Sequence, residues 1–171
     1  MSTGVIAALQ YLTAATFAII GVTAHLRGAA AQRAAEAEVV RQGFAREVLT
    51  RHRVRIEESF AELMLPLGIA VILAVLATLN LAGSGRTATW ILQPILLLAG
   101  GYITTSQVFV QQSVAAAFRR SEDADARAVD TQAVLDAAFA EFPQWLRALV
   151  VTRFVLVTFG SAVVLVLLAV G

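Results

Sequence analysis

The sequence predicts an all-α integral membrane protein, with four long transmembrane helices that extend into the cytoplasm as two helix-hairpin repeats. The repeats would be related by a pseudo-twofold axis along the membrane normal. Three observations carry this expectation. The chain is 58% apolar and only 15% charged, whereas soluble domains run at about 45–50% and 25%. Its apolar residues gather into blocks long enough to cross lipid. Its arginines fall almost wholly on alternate connections between those blocks.

The blocks are 5–26, 63–83, 90–110 and 148–170. Each has the ~20 residues that cross ~30 Å of hydrocarbon at 1.5 Å per residue. The first lacks the basic start of a secretory leader and has a longer apolar run than one, so it is expected to remain as a span. The 171 residues therefore make one four-span membrane domain, with halves of about 1–83 and 84–171.

Arginine placement gives direction. The connection 27–62 holds seven arginines and 114–147 holds four, against Arg86 alone in "AGSGRTAT" and none near the ends. Positive charge collects on the cytoplasmic side, so both long loops are expected there and both termini outside. All basic side chains are Arg and none is Lys. That bias fits GC-rich bacterial coding, which places the chain in a bacterial inner (plasma) membrane.

Both long connections, 27–62 and 114–146, read as helical hairpins. "GAAAQRAAEAEVVRQ" is made of strong helix formers, and Glu38–Arg41 and Glu47–Arg51 have helix-supporting spacings. Apolar stripes run through Val40, Phe44 and Val48, through Ile56, Phe60 and Leu63, and through Leu135, Phe139 and Phe142. Gly43 interrupts the first hairpin, and Ser121 is expected to cap a restart in the second, with Glu122, Asp123 and Asp125 in its first turn. Pro143 is expected to mark a bend where the second hairpin meets span four. The competing arrangement lays these helices flat on the inner leaflet.

The repeat rests on an echo. "IEESFAELMLP" at 56–66 resembles "LDAAFAEFP" at 135–143, and a shift of 79 residues superposes Phe60-Ala61-Glu62 on Phe139-Ala140-Glu141. Glu62 and Glu141 would then be symmetric interface carboxylates, either plain interfacial charges or a paired cation site.

Within the spans, Arg153 is the most informative residue. A guanidinium about 12 Å above Trp145 either snorkels to the headgroups, pairs with polar side chains inside the bundle, or binds an anion. Span three supplies the candidate partners of a polar intramembrane site: Tyr102, Thr105, Ser106, Gln107 and Gln111. Gly100 and Gly101 would allow close helix approach there. Span one adds Gln10, Tyr11, Thr13, Thr16 and Thr23.

No catalytic signature emerges. Cysteine is absent, which excludes thiolate chemistry, and there is no phosphate loop, zinc motif or nucleophile elbow. His25 and His52 lie at different depths and make no haem pair. No cofactor, no enzymatic activity and no nucleic-acid partner are expected. The expected function is association, as a homo-oligomer or an accessory or scaffold subunit of a membrane complex, through exposed apolar stripes on the hairpins. Lipid and another membrane protein, or a second copy, are the expected partners. The alternative is a channel or small transporter with a path lined by span three and Arg153.

Overall fold

The computed structural model describes the backbone of residues 2–170 and the side chains of residues 3–170. The described residues form helices joined by turns, with no strand, and four helices are long and apolar enough to cross a membrane. Span one belongs to α1, Ser2–Arg41. A short α2, Glu47–Arg51, precedes span two, α3, Phe60–Leu81. Span three is α4, Arg86–Val108, followed by α5, Val110–Arg119. Then come α6, Ala124–Ala128, and α7, Thr131–Ala140. Span four runs over Gln144–Val170 as α8, Gln144–Val155, a π-helical turn, Leu156–Gly160, and α9, Ser161–Val170.

The ends of the bundle differ. At the terminal end, Thr3, Ile6, Asn80, Gly83, Arg86 and Leu168 line one cleft of about 210 Å³. At the hairpin end, α1 continues unbroken. Its 40 residues measure about 60 Å, so roughly half its length extends past the hydrocarbon thickness. The projecting half is Ala-rich because other elements press against it: Ala31, Ala35 and Val39 are sealed beneath Val48, Leu49, Phe118, Ala126, Val129, Val134 and Ala138. A second core, around Phe17, Ile69, Leu73, Leu76, Leu96 and Val157, joins the spans.

The sequence leads one to expect four helices leaving the membrane; only α1 does so uninterrupted. Residues 54–59 carry no helix and form a strap on α1. Arg53 adopts a left-handed φ of 56°, which breaks helical phase. Ile56 N–H then donates to Gln32 Oε1 at 2.8 Å. A β-carbon on Gly28 would lie 3.1 Å from the Glu57 Cα, so the strap needs a glycine beneath it. The stripe Ile56, Phe60 and Leu63 is therefore not one helical face. Span three yields at Phe109, whose φ of −101° and ψ of 13° separate α4 from α5.

Several local expectations are met. Gly43 turns the chain at φ 88°. Glu38 and Arg41 pair at 2.6 Å, which holds the Glu38 carboxyl at about 2, through the Arg41 bond first and Gln42 second. Pro143 precedes α8 in an extended conformation and follows the end of α7. Two others are corrected. Glu47 does not hold Arg51, which instead donates to Asp123 Oδ2 at 2.8 Å. Asp123, not Ser121, caps α6 by accepting from Asp125 N–H, while Ser121 Oγ accepts from Asp123 N–H.

Asp123 is also a clasp between the hairpins. His52 lies 3.3 Å from the oxygen that Arg51 holds. These contacts, His52 foremost, keep the Asp123 carboxyl below its ordinary range. Gln42 makes a second clasp: its Oε1 accepts from Asp130 N–H at 2.8 Å and its Nε2 donates to Asp130 O at 3.3 Å. The apolar stripes offered by the sequence as docking faces divide: Val48, Leu63 and Leu135 are buried within the chain, whereas Val40, Phe60 and Phe139 remain exposed.

At the echo itself, the shift of 79 residues pairs unlike positions. Phe60 opens span two, whereas Phe139 lies in the last turn of α7. Glu62 stands at the third position of α3 in a capping box with Ser59, and Arg55 binds it at 2.5 Å. Glu141 follows the end of α7 and is exposed. The two carboxylates have different surroundings.

Candidate functional site

Two buried polar assemblies occupy the bundle. The first sits toward the terminal end and draws on every span. Asn80 Nδ2 donates to Gln10 Oε1 at 2.9 Å and to Thr89 Oγ1 at 2.8 Å. Gln10 Nε2 donates to Gln93 Oε1 at 3.1 Å, and Gln93 Nε2 to Ser161 Oγ at 3.0 Å. Amides and hydroxyls buried this far among the helices gain from partners within the bundle. A chain of amides ties one helix to the next, because each supplies a donor and an acceptor at once. Arg86, just beyond, donates to the Leu168 carbonyl at 2.8 Å and ties the start of α4 to the end of α9.

The second assembly surrounds Arg153. Its side chain is 0% exposed, so the guanidinium does not snorkel. Its Nη2 donates to Gln107 Oε1, and its Cζ lies 4.7 Å from the centre of the Phe17 ring, a favourable stacking for a cation. Its Nε and Nη1 are buried and make no hydrogen bond. None of the ion pairs among the described residues includes it. Gly100 makes room for this stack, since a β-carbon there would come within 2.8 Å of Phe17 Cζ.

The π-helical turn follows immediately. Eight residues of regular helix turn about 800°, which would leave Ser161 about 80° from the line of Arg153. One residue absorbed by a π-bulge brings that difference to about 20°. Arg153 and Ser161 can then both serve the interior.

The strap closes the hairpin end. His25 Nδ1 lies 3.2 Å from Glu58 O, and Glu58, partly buried, is the acidic group whose charge reaches Arg153. Burial first, then the charge of Glu62, raises the Glu58 carboxyl above its usual range, against the opposing pull of His25, Arg153 and Arg55.

The candidates from span three separate. Gln107 meets Arg153, and Gln111 is partly buried beyond it. Tyr102, Thr105 and Ser106 are exposed on the outer face, Tyr102 by 79%. The inward residues are Gln93, Leu96, Gly100 and Thr104, and their spacings of three and four continue to Gln107 and Gln111, which was the available signal. Asn80, Thr89 and Ser161 escaped sequence reasoning because each stands alone beside a turn or within an apolar run. Among the described residues no group of three or more His, Asp or Glu is arranged to hold a metal ion.

No known protein family, no curated protein and no solved structure matches this chain.

Proposed function

We propose that this protein works by association, as a homo-oligomer or an accessory or scaffold subunit of a membrane complex, with the outer face of span three as its contact surface. The observation that carries this reading is that face. Span three has a mean hydropathy of 1.2, against 2.4 for spans two and four, and only 28% of it is buried within the chain. Tyr102 and Thr105 point outward where lipid offers their hydroxyls no partner. A β-carbon on Gly101 would meet nothing, so a second helix can approach closely. The membrane is the bacterial plasma membrane, with both termini outside and both hairpins cytoplasmic, a placement supported by the arginine excess of the hairpins.

Mass in mild detergent or nanodiscs tests association. The complex is expected to exceed one chain, by self-association or by a co-purifying membrane protein. Tyr102→Phe and Thr105→Val should each weaken it by roughly threefold, the effect of one interhelical hydrogen bond in lipid. A strict monomer without a partner refutes the proposal.

A channel or small transporter is the second reading, favoured by the buried, incompletely bonded Arg153. The closed network of Gln10, Asn80, Gln93 and Ser161 opposes it, because it bars a polar path at the terminal end. Liposome flux that falls in Arg153→Ala and Gln107→Ala would favour it over association.

A further inference from the structure

We infer that Arg153 is the core of an oxyanion site inside the hairpin end of the bundle, taking a phosphate group borne by a lipid head or free in solution. The inference stands independently of the association reading. A guanidinium has five N–H donors, and Gln107 accepts from Nη2 alone. Nε and Nη1 are sealed from solvent with nothing to bond. Buried donors left in this condition cost free energy that an entering acceptor recovers. The planar fork of Arg matches tetrahedral or carboxylate oxyanions better than a spherical ion.

The surroundings supply what such a site needs. Phe17 and Gly100 fix the guanidinium plane. Toward the hairpin end the non-helical strap 54–59 is tied to α1 at Gln32 and His25, and a segment without a helical ladder opens locally at lower cost than a helix. Glu58 sits on this strap, and its charge bears on Arg153 without an ion pair between them. When ionised it competes with an incoming anion, and when protonated it leaves Arg153 uncompensated. Since burial and Glu62 hold the Glu58 proton to higher pH than an ordinary carboxyl keeps it, binding of a phosphodiester head, whose own charge stays constant in this range, strengthens as pH falls through the Glu58 titration. The charged or titratable neighbours that set that point are Glu62, His25, Arg55 and Arg153.

The test is thermal unfolding of the full chain in zwitterionic micelles. The probes are inorganic phosphate in one arm and phosphatidylglycerol in the other, with phosphatidylcholine as control. Saturating probe, at about 100 times its dissociation constant, should raise the midpoint by roughly 5–10 °C. A shift with phosphate alone identifies a free anion, and a shift with phosphatidylglycerol alone identifies a lipid head; both support the site. Arg153→Met should abolish the shift. Gln107→Glu should fold well, because it supplies a carboxylate from within, and should abolish the shift too. Glu58→Gln should bind phosphatidylglycerol several-fold more tightly at neutral pH and lose the pH dependence. No shift in the unmodified protein with either probe overturns the site, as does an undiminished shift in Gln107→Glu.

Discussion

Phe118→Ala is expected to destabilise the hairpin end by about 3–5 kcal/mol, as the removal of a fully buried phenyl ring does. Phe118 is 2% exposed and sits among Ala31, Ala35, Val39, Val48 and Val134. Its ring lies 5.3 Å from that of His52. These neighbours come from α1, α2 and its C-cap, and α7, and Phe118 itself from α5, so the cavity would open between elements drawn from both halves of the chain. Alanine cannot fill it, and the alanines of α1 are too short to collapse into it. Amide exchange should accelerate over residues 31–49 and 126–138 while the spans stay protected. A loss below about 1 kcal/mol would mean that the hairpins do not share a core.

Gly85→Ala should be nearly as severe for a single added methyl group, costing about 2–3 kcal/mol. The β-carbon would meet Asn80 N at 2.6 Å and Leu79 C at 2.8 Å. Those are backbone atoms, which cannot rotate away. Asn80 Oδ1, at 2.7 Å from the same point, belongs to the side chain that bonds Gln10 and Thr89. Displacing it loosens a network that continues through Gln93 to Ser161. A lower denaturation midpoint together with closer matching to Asn80→Ala than to an unrelated surface change is the expected pattern. Additive losses in the Gly85→Ala, Asn80→Ala double variant would show that the two residues act separately.

The spans were legible because crossing lipid demands length and apolarity, and both are written directly in composition. Breaks were legible where one residue forces them: Gly43, which takes a positive φ, and Pro143, which precedes α8. The inward position of Arg153 was among the expectations because exposure of a guanidinium to hydrocarbon is so costly. The facing of span three was not legible. Lipid solvates leucine as well as a neighbouring helix does, so an apolar helix carries little sign of which side is interior. Tyr102, Thr105 and Ser106 lie exposed, one register away from the inward line through Gly100, Thr104 and Gln107. The strap at 54–59 was hidden for another reason. Its sequence has good helical periodicity, and tertiary bonds from Gln32 and His25 override it. The echo at 56–66 and 135–143 joins positions with different surroundings, because Ala-rich helical segments resemble one another whatever their place in the fold.

The chain has no cysteine, so single cysteines report on topology without background. Arg46→Cys, Arg127→Cys and Ser84→Cys each replace an exposed residue. They are to be probed with a membrane-impermeant thiol reagent, in intact cells and after permeabilisation. The account predicts that position 84 reacts in intact cells, while 46 and 127 react together and only after permeabilisation. Labelling of 46 and 127 from opposite sides would contradict the four-span bundle with its joined hairpins.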